Sequence, residues 1–184
     1  EKILAVFMLI GIPTAFGGFI LANQIIPFVF GPAYIAATTV FKILMIMLLV
    51  SFPLILLINA IFVYNQQRKL VVANIFGVVA NVILNFLLIP KFGITGAAAA
   101  TLASTAIITW TMWRKMKKIN DFEILPTLKT IILPVVVMSL VILILKYFNI
   151  GLIYNIIISS AIYISVLFYV KRSILAELKE IIGV

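Results

Sequence analysis

The residues that could form specific polar contacts lie mostly inside strongly apolar stretches of the chain. Asn74, Asn81 and Asn85 follow one another in VVANIFGVVANVILNFLLIP, and Lys42 and Asn59 lie in the apolar stretch before it. A carboxamide donates and accepts hydrogen bonds, and an ammonium group attracts anions. These residue types indicate recognition of a polar molecule, or pairing of helices, rather than covalent chemistry.

Catalytic and metal-binding side chains are scarce. The 184 residues include no Cys and no His, which excludes disulfides, thiol nucleophiles and the usual zinc and haem ligands. All five acidic residues lie outside the apolar stretches, at Glu1, Asp121, Glu123, Glu177 and Glu180. We therefore expect a protein that is not an enzyme and that needs no metal or other cofactor.

The composition indicates an integral membrane protein, because 65% hydrophobic and 10% charged residues lie far outside the range of soluble domains. An excess of 14 basic over 5 acidic residues would suggest nucleic acid in a soluble chain. Here the basic residues cluster at the ends of apolar stretches, as membrane topology requires, so we expect no nucleic-acid partner. The chain begins at Glu1 and enters an apolar stretch at once, which favours a piece of a longer protein.

Six segments are long enough to cross a hydrocarbon core of about 30 Å, which takes about 20 apolar residues. The predicted fold is an all-α, polytopic transmembrane helical bundle. Proline near the middle of a segment, as at Pro13, Pro53 and Pro134, favours a tilted or kinked helix. The six segments are Ile3–Phe30, Tyr34–Tyr64, Leu70–Ile89, Thr95–Trp113, Leu128–Phe148 and Leu152–Val170.

The connections between segments suggest four parts. Residues 1–118 carry four helices, residues 119–127 form a polar connector, and residues 128–170 carry two further helices. The final stretch, residues 171–184, reads KRSILAELKEIIGV and is too short to span. Its apolar residues fall on one helical arc, which predicts an amphipathic helix at the membrane interface.

Basic residues are distributed unequally between the two sides that alternate loops must face. By the positive-inside rule, the richer side is cytoplasmic, which places both ends of the chain and the connector inside the cell, in the plasma membrane. The poorer side carries three basic residues, Lys42, Lys91 and Lys146, and the richer side carries the other 11: Lys2, Arg68, Lys69, Arg114, Lys115, Lys117, Lys118, Lys129, Lys171, Arg172 and Lys179.

The three asparagines of the third segment fall on one face if the segment is helical. At about 100° per residue, Asn74, Asn81 and Asn85 lie within about 40° of one another. Because an unpaired amide in hydrocarbon is costly, this face must meet another helix or water. Two interpretations remain open: hydrogen bonds between helices, or one polar wall of a substrate cavity.

Lys42 and Asn59 allow the same two kinds of interpretation. Lys42 lies about eight residues into its segment, where its side chain can extend to the outer interface or point into a cavity. Asn59 lies nearer the inner end and can pair helices or line a cavity.

A tight helical hairpin is predicted between the third and fourth segments. Pro90 and Gly93 interrupt the apolar pattern in PKFGITGAAAATLAS, and the residues that follow are small. Small side chains let helix backbones approach closely.

Two stretches of the sequence resemble a known family. IIPFVFGPAYIAA, followed by a long span, and NVILNFLLIPKFGITGAAAATLAS resemble oligosaccharide-lipid flippases of the multidrug/oligosaccharidyl-lipid/polysaccharide (MOP) exporter superfamily. The resemblance covers residues 1–118, and the last two segments add no motif.

The resemblance implies two pseudo-symmetric lobes of six helices around a central cavity that opens to each membrane face in turn. The first four segments then correspond to the end of the second lobe of a MATE-like flippase, and the last two correspond to additional C-terminal helices. The implied partners are a lipid-linked oligosaccharide, membrane lipids and a preceding N-terminal lobe of the same protein. The implied substrate-pathway candidates are Lys42, Asn59, Asn74, Asn81 and Asn85. The rival functions are a multidrug or cation antiporter of the same superfamily and a membrane scaffold without transport.

Overall fold

The computed structural model describes residues 2–117 and 125–170. All regular structure in these two ranges is helical, in agreement with the predicted all-α fold. The predicted interfacial helix at 171–184 and most of the connector lie outside the described residues. The helices are α1 Lys2–Phe30, a 3-10 helix Pro32–Ala37, α2 Thr38–Val63, α3 Gln67–Met116, α4 Leu125–Tyr147 and α5 Leu152–Val170.

Five of the described helical segments are long and apolar enough to cross a membrane. One of them, Leu70–Met116, has 47 residues. A straight helix of that length would measure about 70 Å, more than twice the hydrocarbon core of about 30 Å. The third and fourth predicted spans therefore lie together in α3, which has to fold back on itself.

The reversal in α3 occurs at Gly93. Its backbone angles, φ 56° and ψ −135°, are not helical, and glycine reaches positive φ without the steric penalty that a side chain imposes. Helical structure continues through Pro90 and Phe92 on one side and resumes at once on the other. The sequence predicted the interruption at Pro90 and Gly93, whereas the non-helical backbone in the structure is confined to Gly93.

Asparagine lies in two further short turns between described helices. Asn65 follows α2 with φ 52°, and Asn149 follows α4 with φ 54°. Asparagine tolerates this left-handed conformation better than most residues, and it commonly ends helices. At these turns the backbone N–H of Gln66 donates to the carbonyl of Ile61, and that of Ile150 donates to the carbonyl of Leu145, both over 3.0 Å.

The chain divides into two compact units, which we describe separately. One unit combines α1 up to Ile25 with α4 and α5, and the other contains Ile26–Phe122 with the end of α1, the 3-10 helix, α2 and α3. The core of the second unit joins the end of α2 to both ends of α3 and consists of Leu57, Ile61, Ala73, Met112 and Met116.

Candidate functional site: a polar network inside a helical hairpin

The two arms of α3, residues 67–92 and 94–116, lie antiparallel and in contact. The side chain of Asn81 hydrogen bonds to Ser104, 23 positions later, a separation of about 35 Å along a straight helix. A Cβ atom added at Gly77 would collide with the side chain of Ile108. In the sequence, the midpoint of each of these two residue pairs lies between residues 92 and 93. Both contacts therefore belong to the same register of the two arms. The predicted hairpin is confirmed.

Close approach of the arms depends on Gly96. A Cβ atom at this position would collide with the backbone carbonyl of Leu88, which cannot rotate away as a side chain can. The next residues of the second arm are also small, and Ala98 and Ala100 are buried. The small-residue stretch therefore serves packing, as its composition predicted.

Asn81 and Asn85 form a chain of hydrogen bonds that links the two arms. The amide nitrogen of Asn85 donates to Oδ1 of Asn81 over 2.8 Å, and the amide nitrogen of Asn81 donates to Oγ of Ser104 over 3.0 Å. The Ser104 hydroxyl then donates to the carbonyl of Thr101, also over 3.0 Å. Both asparagines are half-buried and Ser104 is buried. Both amides thus lie between helices rather than against lipid.

One end of this network is open. Oδ1 of Asn85 is buried and accepts no hydrogen bond from the part of the chain that the structure describes. A buried carbonyl oxygen without a donor is costly, more so in a membrane than near water. The network is uncharged, so it can bind polar groups by hydrogen bonding but cannot itself transfer protons as an acid–base pair does.

Two other candidate residues, Asn74 and Asn59, do not join this hydrogen-bond network. Asn74 is exposed, although it lies on the same arm, and its neighbour Ala73 makes the core contact instead. Asn59 is also exposed, and its amide nitrogen donates to the carbonyl of Ile55 in its own helix over 3.0 Å. In the described residues Asn74 therefore differs in burial from Asn81 and Asn85, although the three fall on one face by helical angle. Two helices that cross at an angle contact each other through different faces at different points along their length. Residues at the same helical angle can therefore differ in burial.

Lys42 lies in the second turn of α2 and is half-buried. Asn59 is 17 positions further along the same helix, about 26 Å away along its axis. The two residues therefore belong to different depths of the membrane. Lys42 keeps both interpretations open, because a half-buried lysine near a helix end suits both an interface and a cavity rim.

Hydroxyl residues on the second arm of α3 were not recognised as site residues from the sequence. Thr109 donates to the carbonyl of Thr105 over 2.8 Å and has a longer contact of 3.4 Å with the carbonyl of Val50 on α2. Thr101, Thr105 and Thr109 recur every four residues, and Ser104 lies three residues after Thr101. That spacing was the signal available, because it places hydroxyl groups on one helical face.

A second polar row lies along α5, where the sequence suggested no motif. Asn155, Ser159 and Tyr163 recur every four residues, and all three are buried. The amide nitrogen of Asn155 donates to the carbonyl of Ile142 on α4 over 3.3 Å. The Tyr163 hydroxyl donates to the carbonyl of Leu9 on α1 over 2.8 Å. This row ties both neighbouring helices to α5.

These features define a class of protein. The described residues contain five apolar segments of spanning length, and one of them folds back as a hairpin that encloses amides. This arrangement is that of a polytopic α-helical membrane protein. Among the residues in 2–117 and 125–170, no group of three or more His, Cys, Asp or Glu side chains could hold a metal ion.

The chain belongs to the family of the lipid II flippase MurJ, whose sequence model matches residues 1–167. It is also similar to a probable low-salt glycan biosynthesis flippase, Agl15, from Haloferax volcanii, with 35% identity over 102 residues. These findings confirm the resemblance to oligosaccharide-lipid flippases. The family match continues beyond residue 118, where the recognisable motifs end, through α4 and into α5.

The match to the Haloferax volcanii flippase covers 55% of this chain but only 22% of that relative. The chain therefore spans less than a quarter of the curated relative's length in this comparison.

Proposed function

We propose that the full-length protein containing this chain moves a lipid-linked oligosaccharide across the membrane by alternating access, without covalent chemistry. The observation that carries the proposal is the flippase family match over residues 1–167. The similarity to a glycan biosynthesis flippase supports a saccharide as the cargo. In this proposal, an N-terminal lobe supplied by the rest of the protein completes the cavity, and the membrane is the plasma membrane.

The exposed amides mark the surface at which such a cavity would form. Asn59 and Asn74 are exposed in this chain, and an amide facing hydrocarbon costs several kcal/mol. Contact with a water-filled cavity or with the rest of the protein removes that cost. We assign Asn59 and Asn74 to the substrate pathway on this ground, whereas Asn81 and Asn85 act mainly in pairing the arms of α3.

Lys42 is the candidate cation for the phosphate groups of a lipid carrier. A flexible ammonium group attracts phosphate as a point charge, so its charge matters more than its exact shape. The other lysines on the proposed outer side, Lys91 and Lys146, lie at the ends of apolar stretches, where they suit the interface.

An antiporter of the same superfamily is the second candidate function. The superfamily's drug exporters usually rely on acidic cavity residues, and no Asp or Glu lies in any of the helices described here. This absence in the described helices favours the saccharide substrate over a cationic one. A scaffold without transport would use the polar rows of α3 and α5 for assembly alone.

Transport by purified full-length protein in liposomes tests the proposal. The probe is a polyprenyl diphosphate oligosaccharide with a fluorescent group on the sugar, and a membrane-impermeant quencher reports how much probe reaches the outer leaflet. Without transport, the quencher removes only the fluorescence of the probe already in the outer leaflet. We expect the protein to raise the quenched fraction above this level, with a fluorescent phosphatidylcholine as the lipid control. Movement of a cationic dye without movement of the glycolipid would instead identify an antiporter, and movement of neither would favour the scaffold.

Lys42 provides a matched pair of variants for the same assay. If its charge contacts the phosphates, Lys42→Arg should retain most transport, while Lys42→Gln should lose about tenfold, which corresponds to about 1.4 kcal/mol. Wild-type transport by Lys42→Gln at matched protein content would remove Lys42 from the substrate pathway.

A further inference from the structure

Pro13 leaves a carbonyl in the interior of α1 without its regular donor. A helical carbonyl accepts from the N–H four residues later, and four residues after Leu9 is Pro13, whose nitrogen carries no hydrogen. Lipid chains cannot donate a hydrogen bond in place of the missing N–H. The carbonyl of Leu9 is therefore able to accept a hydrogen bond from a donor elsewhere in the protein.

Tyr163 of α5 is that donor. Its hydroxyl lies 2.8 Å from the carbonyl oxygen of Leu9, 154 positions away in the sequence. The side chain is 7% exposed, and both residues belong to the same compact unit. The hydroxyl thus meets the carbonyl that the proline frees, in a buried setting where a tyrosine hydroxyl itself requires a partner.

The surrounding part of α1 is a weak stretch of helix. Thr14 donates to the carbonyl of Ile10 over 2.7 Å, a type of bond that often bends helices. Gly11, Gly17 and Gly18 lie within the same two to three turns, and glycine is a poor helix former. This stretch contains a proline, three glycines and a threonine that hydrogen bonds to its own helix. We therefore expect α1 to bend here.

Other contacts hold α5 in place independently of Tyr163. Asn155 is fully buried and donates to the carbonyl of Ile142, which connects α5 to α4. On α1, a Cβ atom added at Gly17 would lie 3.8 Å from Ile142 and 3.9 Å from Met138, so this part of α1 lies close to α4. Loss of the Tyr163 hydroxyl would therefore free the bend of α1 without detaching α5 from α4.

We propose that Tyr163 is a positioning residue that latches the Pro13 hinge of α1 by donating to the carbonyl of Leu9, and that α1 changes its bend when this bond opens during transport. The latch itself is independent of the proposed function. The role of the latch in transport rests on that function.

A double-mutant cycle in the full-length protein tests the latch through the folding equilibrium. Tyr163→Phe keeps the ring and removes the donor, so it should shift the equilibrium towards unfolding by about threefold to twentyfold, the range of polar contacts between membrane helices. Pro13→Ala restores a backbone N–H for Leu9, so Tyr163→Phe should then have little further effect. Tyr154→Phe, on an exposed tyrosine of the same helix, should leave the equilibrium unchanged. An equal loss in both backgrounds, or no loss in either, would overturn the proposal.

Hydrogen exchange of residues 10–18 provides a second readout for variants that fold poorly. We expect faster exchange in Tyr163→Phe than in Tyr154→Phe, and protection restored by Pro13→Ala. Unchanged exchange in Tyr163→Phe would show that the hydroxyl does not hold the hinge, and would overturn the latch.

Transport then tests the second part of the proposal. At equal folded protein, Tyr163→Phe should change the rate of glycolipid movement severalfold relative to Tyr154→Phe. If the transport rate is unchanged although hydrogen exchange shows that the hinge is released, the role in transport is overturned and the latch remains supported. Absence of transport in the wild-type protein would instead reject the proposed function, because the exchange and stability results do not depend on transport.

Discussion

At the scale of single residues, the amides of α3 show how a membrane protein accommodates polar groups. Asn81 donates to Ser104 on the other arm and accepts from Asn85 on its own arm, so one of its two bonds connects the arms. Such bonds contribute only about 0.6 kcal/mol each on average in membrane proteins, because the unfolded chain also finds partners. They also favour this register of the two arms, since a shifted register would leave amides unpaired.

Replacement of Asn81 separates pairing from a role in transport. Asn81→Ala removes both bonds and should lower the free energy of unfolding by about 1 kcal/mol, measured by thermal unfolding of the full-length protein in detergent. Asn74→Ala, at an exposed position of the same arm, should leave stability nearly unchanged. Wild-type stability of Asn81→Ala combined with a tenfold loss of glycolipid transport would contradict the pairing interpretation and place Asn81 in the substrate pathway.

At the scale of the helices, α3 behaves as two spans joined by one residue. Gly93 supplies the turn, and Gly96 permits the contact with Leu88 that brings the second arm against the first. The hydrogen bonds of Asn81 then fall into place because the turn fixes the register of both arms. The two glycines thus permit the register in which the bond from Asn81 to Ser104 forms.

Gly96→Ala should disrupt this hairpin more than an ordinary glycine replacement. The added Cβ atom meets the backbone carbonyl of Leu88, so the arms must separate, at a cost of about 1–3 kcal/mol for an overpacked contact. Gly17→Ala is the matched control, because its Cβ atom would lie 3.8 Å from Ile142, an ordinary contact distance. Unfolding midpoints of the two variants provide the comparison, and equal midpoints would argue against close packing at Gly96.

At the scale of the whole molecule, the distribution of basic residues between the two sides is the basis of the proposed orientation in the membrane. The side that carries 11 of the 14 basic residues contains the turn between α2 and α3, while the tip of the α3 hairpin lies on the other side. Positive residues are retained on the cytoplasmic face during insertion. We therefore propose that the α2–α3 turn lies inside the cell and the hairpin tip outside.

Thiol labelling of the full-length protein in intact cells tests this orientation. This chain contains no native cysteine, so Gln66→Cys and Phe92→Cys can be compared in a background whose other cysteines, if any, are replaced. Phe92→Cys should react with a membrane-impermeant reagent, and Gln66→Cys should react only after permeabilisation. Labelling of Gln66→Cys in intact cells would invert the proposed topology.

The sequence by itself determined the properties that depend on local composition. Apolar length predicted the spans, and Pro90 with Gly93 predicted the hairpin, because spanning and turning are decided by residues close together in the chain. The stretches IIPFVFGPAYIAA and NVILNFLLIPKFGITGAAAATLAS also indicated the flippase family, which the comparisons confirm.

Only the tertiary structure decided which helices meet and which polar groups pair. Asn74 and Asn81 look equivalent by helical angle, yet one is exposed and the other bonds to Ser104. The Tyr163 bond to Leu9 joins opposite ends of the chain. Such partners depend on the register and crossing of helices packed side by side, and in a membrane apolar surface alone does not select among these arrangements. The arrangement is set by the fit of small residues and by the need to pair each buried polar group, which are properties of the assembled helices.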